Sequence, residues 1–145
     1  MTEFNYQKDQ HGIVTITMDM QGPVNSMNLA YMALLQSTVD RLEAETDLTG
    51  VVMTSAKATF IAAGDLKWLL AVEKSEVETL YQQVESMKAN FRRIEKLPVP
   101  VVAAINGSAL GGGFEICLAC NYRLAWQDKS LKVGLPEVGL GLLPG

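Results

Sequence analysis

The stretch Val101-Val-Ala-Ala-Ile-Asn-Gly-Ser-Ala-Leu-Gly-Gly-Gly-Phe-Glu-Ile-Cys-Leu-Ala-Cys120 restricts the folds open to this chain more than any other segment. Its first residues are an apolar, largely β-branched run that reads as a buried strand. Three consecutive glycines follow, and then an apolar run of helical length near 112–120. Buried strand, tight turn and buried helix form the repeating unit of an α/β protein. One carboxylate, Glu115, interrupts the apolar run two residues after the glycines. An ionised carboxylate costs several kcal/mol to bury unless it is paired or hydrogen-bonded. Glycine allows backbone N–H groups to approach a ligand closely. A second carboxylate, Glu137, stands in Gly134-Leu-Pro-Glu-Val-Gly-Leu-Gly141. Together these features suggest acid/base chemistry beside a site that holds a developing negative charge.

The rest of the chain fits the same class. Residues 13–18 alternate and are β-branched, which predicts a strand, with 4–7 as its hairpin partner and 9–12 as the turn. Asn28 is placed to cap a helix reaching about residue 46, with Tyr31, Leu35, Val39 and Leu42 on one face. Residues 50–54 read as a short buried strand and 57–64 as a loop. Asp65 can cap a short helix through residue 70. Ser75 and Glu78 have capping-box spacing. Behind them Val77, Leu80, Val84, Met87, Phe91 and Ile94 form an apolar stripe expected to pack in the core. Pro98 and Pro100 end that helix. Residues 122–126 and 131–133 read as closing strands. Strands separated by helices predict an α/β sheet, at least partly parallel, in one domain spanning 1–145. No internal repeat, low-complexity segment or linker is evident.

Composition narrows the function. A net charge of −4 argues against general binding of nucleic acid or anionic membranes. No apolar run approaches the roughly 18 residues of a membrane span, and the acidic start is unlike a signal peptide, so a cytoplasmic protein is expected. The two cysteines, Cys117 and Cys120, form a lone C-x-x-C. With no second pair and a single histidine, they read as small hydrophobes on a buried helix, and no metal site is expected. That histidine, His11, falls in a surface turn, so Ser-His-Asp and Cys-His mechanisms are disfavoured. The acid/base groups are then carboxylates, lysines or tyrosines. The chain closes on Leu-Leu-Pro-Gly145 directly after a motif, as a piece of something longer would.

Two segments offer anion sites. The 111–113 triplet lies between a strand and a helix, where unpaired N–H groups and the positive dipole end meet. Tight helix–sheet packing alone would also explain it. Gly64, just before Asp65, is the second. Gly139-Leu-Gly141-Leu-Leu-Pro-Gly145 has the wrong spacing for a dinucleotide loop, and no helix is expected after it.

Four segments, taken in order, resemble the enoyl-CoA hydratase/isomerase superfamily, the crotonases. They are Pro23-Val-Asn-Ser-Met-Asn28, Phe60-Ile-Ala-Ala-Gly-Asp-Leu-Lys67, Pro98 to Gly107 with Ala109 to Glu115, and Leu135-Pro-Glu-Val-Gly-Leu-Gly141 with Pro144-Gly145. Ala63 stands where that family usually has glycine, and Asn121 replaces a common aspartate. The resemblance implies the crotonase ββα-repeat spiral fold, present here as its N-terminal part. It implies an oxyanion hole made by the backbone N–H groups of Gly64 and Gly112. It makes Glu115 and Glu137 the catalytic pair that activates water. It places CoA against Ala62, Asp65, Leu66, Lys67 and Gly111, with Lys57 as a further phosphate partner.

The reaction so implied is hydration of a 2-enoyl-CoA to a 3-hydroxyacyl-CoA in fatty-acid β-oxidation. No resident cofactor is needed, and coenzyme A enters as part of the substrate. A homo-oligomer, a trimer or a dimer of trimers, is the family's habit. The opening also resembles the N-terminal part of multifunctional fatty-acid oxidation proteins. NAD is implied only where a 3-hydroxyacyl-CoA dehydrogenase domain follows. Two other readings stay open: a Δ3–Δ2 isomerase or another CoA-thioester lyase, and an inactive CoA-binding or structural module.

Overall fold

The computed structural model describes residues 4–61, 63–64 and 66–145, with the backbone alone for 63–64 and 66–68. Nine strands and four α-helices are found among them. They are β1 (Asn5–Lys8), β2 (Ile13–Met18), β3 (Ser26–Met27), α1 (Leu29–Ala44), β4 (Gly50–Ser55), β5 (Ala63–Gly64), α2 (Leu66–Ala71), α3 (Val77–Glu95), β6 (Val101–Ile105), β7 (Ala109–Leu110), α4 (Gly112–Ala119), β8 (Tyr122–Ala125) and β9 (Val133–Gly134). The main sheet has the order β1-β2-β4-β6-β8. Only the β1–β2 hairpin is antiparallel; β2, β4, β6 and β8 run parallel.

Each parallel step crosses through a helix, and the register brings one apolar face together. Val14 aligns with Val51 and Val101, and Ile16 with Met53 and Ala103. These residues are all buried. Helices α1, α3 and α4 contribute to the same core, with α3 touching both α1 and α4. As expected, Asn28 Oδ1 accepts the Tyr31 N–H at 2.9 Å, and Tyr31, Leu35, Val39 and Leu42 are buried. A polar clasp joins α1 to α3. Arg93 donates to Asp40 and to both oxygens of Glu43, which holds those two carboxyls below the usual range. Cys117 and Cys120 are buried and unbonded to each other, and burial pushes both thiols up to about 12. Arg123 donates to the Cys117 and Cys120 carbonyls, satisfying the end of α4.

Three expectations need correction. The apolar stripe of α3 is fully buried only at Phe91 and Ile94; Met87 packs partly against the core, Leu80 and Val84 are half-buried, and Val77 is 57% exposed. Periodicity identifies an apolar face but not the element that covers it. The capping box forms two residues earlier than Ser75 and Glu78: the Glu73 N–H donates to the Glu76 carboxylate at 3.0 Å, opening a 3₁₀ turn at Lys74–Glu76. The last strand is Val133–Gly134 rather than 131–133, because its position is set by pairing with β7. Asp65, expected to cap α2, lies outside the described residues. No helix among the described residues is long and apolar enough to cross a membrane.

One buried amide ties the strand ends together. Asn25 is fully buried. Its Oδ1 accepts the Met20 N–H at 2.9 Å. Its Nδ2 faces the Met18 carbonyl, Ser55 Oγ and the Phe60 carbonyl at 3.0, 2.9 and 3.3 Å. Truncation would leave several buried polar groups without partners. Asn25→Ala is therefore expected to lower unfolding free energy by about 3 kcal/mol, read as a reduced urea midpoint at unchanged slope.

Candidate active site

Parallel strands deliver their following loops to one end of the sheet, and ligands in open α/β sheets bind outside those carboxyl ends. Here the four loops after β2, β4, β6 and β8 meet there. The loop after β2 carries Asn25 and β3. The loop after β4 is held by Asn106, whose Nδ2 donates to the Ser55 and Lys57 carbonyls at 3.0 and 3.1 Å. It then runs beside β7: Phe60 N–H donates to the Ser108 carbonyl at 3.0 Å, and Leu110 N–H to the Ile61 carbonyl at 3.2 Å. Beyond it, β5 pairs in parallel with β3, placing Gly64 opposite Met27. The loop after β8 pairs β9 with β7 and then turns into a 3₁₀ segment, Glu137–Leu140.

All of these segments close on the head of α4. Gly111 has φ +57°, a left-handed conformation that disfavours any side chain, and an added Cβ would lie 2.9 Å from Glu137 Oε1. At Gly112 a Cβ would run into Met27 Sδ. At Gly113 it would lie 2.6 Å from the Ile61 carbonyl oxygen and 2.7 Å from Ile61 Cβ. The triplet is thus both a tight turn and a packing surface, each glycine facing a different segment.

The two carboxylates expected to act together both lie against this turn. Glu115, in the first turn of α4, has Oε2 3.7 Å from the place a Gly112 Cβ would take. Its Oε1 accepts the Gly145 N–H at 2.7 Å. Glu137 turns Oε1 toward Gly111, and its Oε2 is buried with no hydrogen-bond partner among the described residues. A buried carboxylate oxygen without a donor is unusual and can accept a further hydrogen bond. An open groove of about 290 Å³ between α3 and α4 is lined by Phe91, Arg92, Leu118 and Glu115, so of the two carboxylates it is Glu115 that faces it.

The backbone donors divide. Gly111 N–H is already given to the Gly134 carbonyl at 3.0 Å, so its part is the turn. Gly112 is the first residue of α4, where the helix supplies no partner for the N–H. Gly64 lies in β5, two residues before α2. Ala62 and Asp65 lie outside the described residues; Leu66 and Lys67 open α2, described by backbone only. Lys57 is bound to Asp19 at 2.5 Å, so that cation is already engaged. His11 is exposed in the β1–β2 turn, far along the sequence from this cluster. Among the described residues no group of three or more His, Cys, Asp or Glu is placed to hold a metal ion. Sequence reasoning missed Met27 as a packing partner of Gly112, and Gly145 as a donor to Glu115. The signal for Met27 was its place in Pro23-Val-Asn-Ser-Met-Asn28, the first segment that resembles the family, which did not reveal what the side chain faces.

The glycine geometry has a direct test. Gly113→Ala meets backbone and should cost about 2–3 kcal/mol, and Gly111→Ala, strained at positive φ, about 1–2 kcal/mol. Gly139→Ala, with nothing within 4 Å of an added Cβ, should stay within about 0.5 kcal/mol of the wild type. Chemical denaturation of the three variants measures this order.

Comparison with known proteins agrees with this architecture. A model of the enoyl-CoA hydratase/isomerase family matches residues 8–145. A solved enoyl-CoA hydratase from Bacillus anthracis is 33% identical with a TM-score of 0.85, over 98% of this chain and 54% of its own. DspI of Pseudomonas aeruginosa is 27% identical with a TM-score of 0.82, over 97% and 52%. An enoyl-CoA hydratase from Polaromonas sp. JS666, 24% identical with a TM-score of 0.85 over 99% and 55%, shares the fold. The chain thus spans about half the length of the structures it matches. Match and fold together make this chain a member of the enoyl-CoA hydratase/isomerase family, the crotonase superfamily.

Proposed function

We propose that this chain carries the hydration of a 2-enoyl-CoA thioester to a 3-hydroxyacyl-CoA, a step of fatty-acid β-oxidation. The observation that carries the reading is the convergence of Glu115 and Glu137, from separate segments, on adjacent glycines at the head of α4. The thioester carbonyl oxygen sits on the N–H groups of Gly64 and Gly112. A water lies between the two carboxylates. Its oxygen bonds C3 of the enoyl group as one carboxylate takes its proton, and the π electrons move onto the carbonyl oxygen as an enolate. The enolate collapses and a glutamate delivers a proton to C2. One water has then added across the double bond, and both carboxylates return to their starting charge.

Charge develops on the carbonyl oxygen, so the two amides act where stabilisation differs most between ground and transition state; each is worth about 3 kcal/mol in comparable sites. The buried Glu137 Oε2, without a hydrogen-bond partner among the described residues, supports a water-holding role. The CoA moiety lies along the 62–67 backbone. A homo-oligomer belongs to the same reading.

The test is loss of enoyl-thioester absorbance with crotonyl-CoA. Glu115→Gln and Glu137→Gln keep size and remove the base, and each should lower kcat by about 100-fold or more with KM little changed. Normal turnover in both variants would contradict the proposal. Conversion of a 3-enoyl-CoA to its 2-enoyl isomer without hydrated product would replace hydration by isomerisation.

A further inference from the structure

We infer that Met27 is a positioning residue that sets the separation between the N–H groups of Gly64 and Gly112. The inference rests on the reading of those two amides as the thioester oxyanion site. Met27 touches both sides of that site at once. Its main chain pairs in register with Gly64. Its thioether packs on the α-carbon of Gly112, so that a Cβ there would run into Sδ and lie 3.5 Å from Cε. The residue is only 4% exposed, although its strand is two residues long.

The direction of this side chain is fixed by its neighbours. Asn25, two residues before it, is anchored to the ends of β2 and β4 and to the Phe60 carbonyl. Asn28, directly after it, caps α1 through the Tyr31 N–H at 2.9 Å. With both flanks bound to separate parts of the core, Met27 has little freedom to turn elsewhere. Its side chain therefore works as a spacer between β5 and the head of α4. Two donors serve one oxygen only when both come within about 2.7–3.1 Å of it, so the width of the spacer is a catalytic quantity. Leucine has nearly the volume of methionine and should preserve that width; valine is shorter and should not.

The measurement is isotope-edited infrared difference spectroscopy of [1-¹³C]butanoyl-CoA bound to the purified protein. This saturated thioester has no double bond to hydrate. In the wild type its carbonyl stretch should fall below the free value. Met27→Leu should keep that shift and stay within about twofold of wild-type kcat. Met27→Val should lose about half of the shift and about tenfold in kcat with crotonyl-CoA, while KM moves less than about threefold and thermal unfolding stays cooperative. Met27→Ala, where it folds, should extend the same trend. A valine variant with the wild-type shift and kcat would overturn the inference, as would parallel losses of kcat, KM and fold. A wild-type protein that binds the thioester without any shift would sink the oxyanion reading itself.

Discussion

No side chain fits at the head of α4, and the arrangement of the loops follows from that exclusion. Three successive glycines let Glu137, Met27 and Ile61 approach the same short stretch of backbone. A single methyl group at Gly113 would overlap the main chain of the loop after β4. Because that loop runs beside β7 and continues into the β3–β5 pairing, displacing it would disturb the position of Gly64 as well. The close approach is therefore a structural constraint: it holds two carboxylates, a thioether and the loop after β4 against one short stretch of backbone.

Asparagine side chains do much of the remaining positioning. Asn25 and Asn106 both bind around the end of β4, one from the loop after β2 and the other from the loop after β6. Amide side chains suit this task because each offers donor and acceptor at once without bringing charge into the interior. Asn121 extends the pattern at the opposite end of the sheet, where its Oδ1 accepts the Val101 N–H at 2.7 Å. An aspartate there would accept the same bond, so the change from the family's common residue is tolerated by this geometry.

Much of the fold was legible because local pattern and tertiary packing have the same cause. The face of α1 could be read from spacing alone, since Tyr31, Leu35, Val39 and Leu42 repeat at helical intervals and are all buried in the core. The strands of the main sheet were readable for the same reason. What failed depends on partners distant in sequence. The stripe of α3 begins at an exposed Val77 and is fully buried only at Phe91 and Ile94, and β9 takes its limits from β7. Of the site, Glu115, Glu137 and the glycines stood out because each is costly or unusual where it occurs. Met27 did not, because a methionine in a turn looks ordinary until the residue facing it is known.

The central claim is that two acidic side chains and two main-chain amides surround one acyl carbonyl and one water. A crystal structure with a bound 3-hydroxyacyl-CoA tests this most directly. The account predicts the thioester oxygen within about 3.1 Å of the Gly64 and Gly112 nitrogens, with the 3-hydroxyl between Glu115 and Glu137. A thioester lying away from those nitrogens, or a hydroxyl touching neither carboxylate, would contradict it.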